Sequence, residues 1–367
     1  MRTASLFSGI GGMCLGTPVL YCEIDARARA VLEARMADGS IPAAPIVEDI
    51  TTLESLPEVD MIEAGFPCQG VSSCGQQKGL ADDRSGLFWH VARLTAAARP
   101  PWVMLENVEA IRTQPEVWMP VLQVMSELGY DSHWVMLGAN QVGAPHRRNR
   151  WFCLCKRVRE PGKPAINTLP TCANIAACGS VTNGAYREEA PLQLPTVELN
   201  PPLVMRPFPG VACRGTIVQK DIVRKAFATP RCRGGTFAGA NLTFRGANDL
   251  GPQLKFALDT PEDQRKGTQT FATWVEWLMG FQCGYTLHAP LTNHIHNGWS
   301  NEPEGVPRLV RSNKMNTNRL HLLGNACVPA QSKKAFEILQ QRYTADATRA
   351  RIDFKFLSPE LRRHASK

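Results

Sequence analysis

Five short apolar runs, Thr3–Phe7, Val19–Glu23, Met61–Ala64, Trp102–Leu105 and Trp151–Cys155, mark out the first 155 residues, and each abuts a glycine, a carboxylate or an arginine. They read as short buried strands. Between them, Ser85–Ala98 sets Leu87, Phe88, Val91 and Leu94 at helical spacing, and Val117–Leu128 is a second amphipathic helix. Strand and helix in alternation build a doubly wound, Rossmann-like α/β sheet, whose ligands lie at the C-terminal ends of the strands.

From about residue 160 the texture changes. Nine prolines between Pro161 and Pro209 break the chain into pieces too short for long helices. Residues 161–270 are therefore expected to form a second, smaller, loop-rich domain beside a first domain of 1–160. Regular structure resumes at Phe271–Phe281, and Val328–Arg342 reads as a long helix, so 271–345 returns to the first domain and 346–367 is a peripheral tail. The net charge is +8, and residues 206–245 hold eight basic side chains against Asp221 alone. Such a patch suits either phosphate contacts on a nucleic acid or a solvated basic surface.

Two residues carry candidate chemistry. Cys68 follows Pro67, whose ring fixes φ and removes a donor, at the end of one strand; Glu106 stands at the end of the next. A thiolate is a strong nucleophile and a good leaving group. Attack on C6 of a cytosine needs such a group, together with an acid at ring N3. Glu106 can serve as that acid if an apolar pocket raises its pKa. Cys14, Cys22, Cys153, Cys155, Cys283 and Cys327 read as core filler.

With these neighbours the chain resembles the DNA (cytosine-5)-methyltransferases of bacterial and bacteriophage type. The resemblance rests on Phe7-Ser-Gly9-Ile-Gly11-Gly12, Pro67-Cys68-Gln69, Glu106-Asn107-Val108, His146-Arg147-Arg148-Asn149-Arg150 and Gly324-Asn325-Ala326-Cys327-Val328-Pro329, in register from residue 3 to about 340. It implies an S-adenosylmethionine-dependent methyltransferase sheet with a target recognition domain. It also implies duplex DNA as substrate, a base swung out of the helix, and a monomer in the cytoplasm. A cognate restriction endonuclease would be a functional partner without need of physical contact.

The resemblance also assigns roles. Pro67, Cys68, Gln69, Glu106, Asn107, Arg148 and Arg150 become the catalytic set, with Arg150 on the cytosine O2 and Arg148 supporting the acid and the loop. Phe7, Ser8, Gly9, Gly11 and Gly12 become the cofactor turn: Phe7 on the adenine, Glu23 with Ile24 at the ribose, and Asp49 with Ile50 at the adenine edge. Pro67, Leu87, Asn325 and Ala326 complete that pocket. Residues 70–86, rich in glycine and poor in apolar side chains, would form a mobile flap over the base. Arg148 and Arg150 alternate towards Trp151–Cys155, so both are expected to point to one face.

The chain departs from the family at His146, where glutamine is usual, and at Thr273–Phe281. In the latter, Trp274 and Trp277 stand where many relatives carry charged side chains, and their spacing reads as packing on one helical face. No run approaches 18 uninterrupted apolar residues, and the N-terminus has no signal-like segment, so no membrane partner is expected. Neither His294-Ile-His296 nor Cys172 with Cys178 has a matching second pair, which argues against a metal. Two alternatives stay open: the tRNA-methylating branch of the same fold, whose Cys-Phe-Thr tripeptide is absent here, and an idle DNA-binding relative.

Overall fold

The computed structural model describes residues 1–67, 85–113, 115–158, 268–291 and 298–356. Cys68, Gln69, residues 70–84 of the flap, the basic stretch and His294 and His296 lie outside them, as does the second domain apart from Thr268–Thr270.

Seven strands form one sheet: β1 (Arg2–Leu6), β2 (Thr17–Cys22), β3 (Ile46–Val47), β4 (Met61–Ala64), β5 (Trp102–Val108), β6 (Tyr130–Leu137) and β7 (Arg150–Arg157), in the order β3-β2-β1-β4-β5-β7-β6. The first five run parallel, and β7 lies antiparallel between β5 and β6. Alternate residues feed opposite faces. Val103, Leu105, Cys153 and Cys155 pack with Phe88, Val91 and Leu94 of α2 (Phe88–Ala98) and with Val121 and Met125 of α3 (Pro115–Glu127). Met104, Phe152 and Leu154 pack instead with Ala335, Ile338 and Leu339 of α6 (Pro329–Phe356). Both faces are covered, as a doubly wound sheet requires.

Helix α1 (Ala26–Ala37) buries Ala28, Val31, Leu32 and Arg35 along one stripe. Arg35 is fully buried because its guanidinium donates to the Tyr285 and Ala289 carbonyls and pairs with Asp38. Val31 joins a cluster with α4 (Ala272–Leu278) and α5 (Lys314–Asn325). The strands β8 (Thr268–Thr270) and β9 (Leu309–Arg311) pair antiparallel beside them.

Trp274 and Trp277 do share a packed face, with ring centroids 5.8 Å apart. Their indole N–H groups also donate, to Glu302 and to the Gly298 carbonyl. A buried ion pair supplies charge here: Glu276 meets Arg319 at 2.8 Å and accepts from the Thr286 backbone and hydroxyl. Of the six cysteines read as core, Cys22, Cys153 and Cys155 are buried, but Cys283 and Cys327 are half-buried and Cys14 is exposed. Among the described residues, no helix is long and apolar enough to cross a membrane.

Candidate active site

The sheet reverses direction of growth between β1 and β4, and the site lies where those two strands end. Leaving β1, Phe7 takes φ +57° and Gly9 φ +56°. A left-handed conformation is costly for phenylalanine and persists only where its surroundings hold it. The hydroxyl of Ser8 provides that hold: it donates to the Ser5 carbonyl at 2.8 Å and accepts from Cys22 N–H at 3.2 Å, stitching the turn to β2. Ser8 is thereby occupied with the fold.

The glycines of this turn divide in function. A side chain on Gly9 would meet no atom within 4 Å, so its backbone borders open space. A side chain on Gly11 would stand 3.4 Å from the Tyr285 hydroxyl, and one on Gly12 would overlap the Cys327 carbonyl. Gly12 therefore serves close packing against the segment after α5.

Directly after β2, Glu23 accepts from Gly9 N–H at 2.7 Å and from Asp25 N–H at 2.8 Å. Burial raises its carboxyl above the usual range, while those two donors pull the other way. Ile24 beside it is 72% exposed, an unusual setting for a large apolar side chain. A polar sugar edge for Glu23 and an apolar ring for Ile24 fit this cradle, so the residues present suit S-adenosylmethionine. Asp49 accepts from Thr51 N–H, which holds its carboxyl below the usual range. Ile50 is 4% exposed and packs in the core, so only its backbone can face a ligand. Leu87 packs on the same core from the turn before α2.

At the end of β4, Gly65 follows the strand and its Cβ position lies 3.2 Å from Glu106 Oε2. Asn107 donates to the Phe66 carbonyl at 3.2 Å. The turn that runs into Pro67 is thus held by Asn107 of β5, with Glu106 lying over Gly65 beside it. Glu106 pairs with Arg150, Oε1 to Nε 3.0 Å. Burial raises the Glu106 carboxyl and the Arg150 and Arg148 charges oppose this. Cys327 also faces Glu106, but burial, with Glu106 next, pushes its thiol up to about 12, so it stays protonated.

Arg148 differs from expectation. It precedes β7 with φ +33°, so it does not alternate with Arg150 along a strand. Its guanidinium is buried and donates to the Gly324 and Ala326 carbonyls at 2.9 and 2.5 Å. It anchors the segment that carries Asn325 and Ala326. Ala326 is buried, whereas Asn325 ends α5 exposed. His146 is fully buried against Met279 Sδ, and desolvation pushes its pKa down to about 3, so it is neutral. The sequence reading missed Glu63, a buried carboxylate on β4 that accepts from Leu15 N–H, and Gln331 on α6; neither sits in a motif.

Residues 1–177 match the family model described as C-5 cytosine-specific DNA methylase. Type II methyltransferase M.CviJI of Paramecium bursaria Chlorella virus IL3A is 34% identical over 223 residues, 57% of this chain and 59% of that protein. M2.BsuMI of Bacillus subtilis (strain 168) is 38% identical over 173 residues, covering 44% and 43% of the two chains. For M.HhaI of Haemophilus parahaemolyticus the figures are 34% over 165 residues, 43% and 49%. The chain thus spans about half the length of the curated relatives it matches. Over residues 1–177 the chain is thus similar to the C-5 cytosine-specific DNA methylase family.

Proposed function

We propose that this protein methylates C5 of cytosine within a short duplex DNA sequence. The observation that carries the reading is the approach of β5 to the turn after β4: Glu106 lies over Gly65, three residues before Cys68, and pairs with Arg150.

In this mechanism the Cys68 thiolate adds to C6 of a cytosine swung out of the helix. Glu106, whose carboxyl is raised by burial against the pull of Arg150 and Arg148, donates to N3 as charge builds on the ring. Arg150 holds the base edge at O2, and its pairing with Glu106 orients the acid. Addition at C6 turns C5 into an enamine-like carbon, which forms the new carbon–carbon bond. S-Adenosylmethionine supplies the methyl group as a sulfonium-bound electrophile. The C5 proton then leaves to a base, and its electron pair expels Cys68 and restores the ring. Phe7, Gly9, Glu23, Ile24 and Asp49 would hold the cofactor. The 161–270 domain, with its basic stretch, would read the DNA.

Base-resolution conversion sequencing of DNA from a methylation-free host expressing the chain tests this. Protected cytosines in one short context, lost in Cys68→Ala while cofactor binding survives, are expected. A fully converted genome with soluble wild-type protein would overturn the reading.

A further inference from the structure

Arg150 is held against Glu106 by a turn that is itself under constraint. Arg148 stands at φ +33°, two residues earlier, and its carbonyl points inward. Gln331, in the first turn of α6 and fully buried, donates from Nε2 to the Arg148 carbonyl at 2.7 Å and to the Leu137 carbonyl at 2.7 Å. Leu137 is the β6 residue paired with Arg150. A single side-chain amide therefore bridges the turn before Arg150 and the strand beside it. In return Arg148 grips the Gly324 and Ala326 carbonyls, just upstream of α6. The two clasps are reciprocal and join the arginine turn to the segment packed on Gly12.

We infer that Gln331 is a positioning residue for the methyl transfer: its amide fixes the Arg148 turn and so places Arg150 on Glu106. This rests on the proposed methyltransferase activity. Nothing in an apolar core position would call for a glutamine; both donations from its amide go to backbone carbonyls, one in the turn before β7 and one at the end of β6.

The test is Gln331→Met, which keeps the volume and removes both donors, with Gln331→Glu as a second variant that retains the shape and at most one donor. Leu339→Ala, on the same helix but in the core, serves as the comparator for stability loss alone. For Gln331→Met we expect kcat to fall roughly tenfold to a hundredfold, the scale of a misplaced catalytic group, with cofactor KM nearly unchanged. The alkaline limb of the pH–rate profile should also move to higher pH. Glu106 faces Arg150, Arg148 and Cys327, and a retreating Arg150 leaves its acid form favoured. Leu339→Ala should lose melting temperature without that limb shift. Wild-type kcat and an unshifted limb in either folded Gln331 variant would overturn the inference. An inactive wild-type protein would instead remove the reading beneath it.

Discussion

Gly9 and Gly12 stand three residues apart in one turn, yet alanine at each should fail for a different reason. At Gly12 the new methyl group would overlap the Cys327 carbonyl oxygen and stand 3.1 Å from the Cys327 C and N atoms. All three are backbone atoms, so no rotamer change relieves the clash; the turn and the closing segment must part. Overpacking of this kind costs about 1–3 kcal/mol, and large domains lose roughly 2–4 °C of Tm per kcal/mol. At Gly9 the methyl group meets nothing within 4 Å, and only the positive φ of 56° resists it, at about 1–2 kcal/mol. The same methyl group would intrude where the cofactor is proposed to lie. Thermal melts without ligand and calorimetric titration with S-adenosylhomocysteine separate the two. Gly12→Ala should show the larger loss of Tm. Gly9→Ala should lose less Tm, about 2–8 °C, and lose most of its cofactor affinity. Equal Tm losses with equal affinities would refute the division of roles, and so would an unchanged Tm in Gly12→Ala.

Removing the carboxylate in Glu276→Ala strands the Arg319 guanidinium among buried groups and unpairs the Thr286 backbone. A loss of about 3–5 kcal/mol is expected, read from denaturant melts; a change below about 1 kcal/mol would contradict the account. Glu63 is fully buried, and burial above all raises its pKa to about 8. Between pH 4.5 and about 8 the folded protein keeps a proton that the unfolded chain has released. Stability at this residue therefore falls as pH rises across that window, by on the order of 1.4 kcal/mol per pH unit. Glu63→Gln should remove the slope, and a variant-minus-wild-type difference that stays flat from pH 5 to 8 would exclude it.

Strands that end in chemistry were legible because their apolar runs are short and continuous: Met61–Ala64 stands as read, and β1, β2, β5 and β7 shift by only a few residues. Helix α1 escaped because the fourth member of its buried stripe is Arg35, whose charge hides the period. Strand β6 escaped because an edge strand with four half-exposed residues in a row carries no apolar run. Helix α5 is held by polar contacts, its Asn313 cap accepting from Asn316 N–H, so its pattern is weak too. At the site, residue types announced Glu106 and Arg150. The conversion of Arg148 and Gly12 into supports depends on carbonyls of Gly324, Ala326 and Cys327, more than 170 residues away in the chain. No local pattern encodes a partner at that distance.

The missed strand β6 explains why the arginine motif reaches the site at all. In a parallel sheet the residue that opens a strand lies at the far end from the ligand. Strand β7 has eight residues, so a parallel β7 would leave Arg150 about 25 Å from the carboxyl ends of its neighbours. Because β6 runs up from Tyr130 and turns over at Gly138, β7 comes back antiparallel, and Arg150 pairs with Val108 of β5 and Leu137 of β6. Its first residue thereby stands beside the last residues of β5, close enough for the 3.0 Å contact with Glu106. The same reversal leaves the Arg148 turn at the edge where α6 begins, which is where a buried amide such as that of Gln331 can hold it.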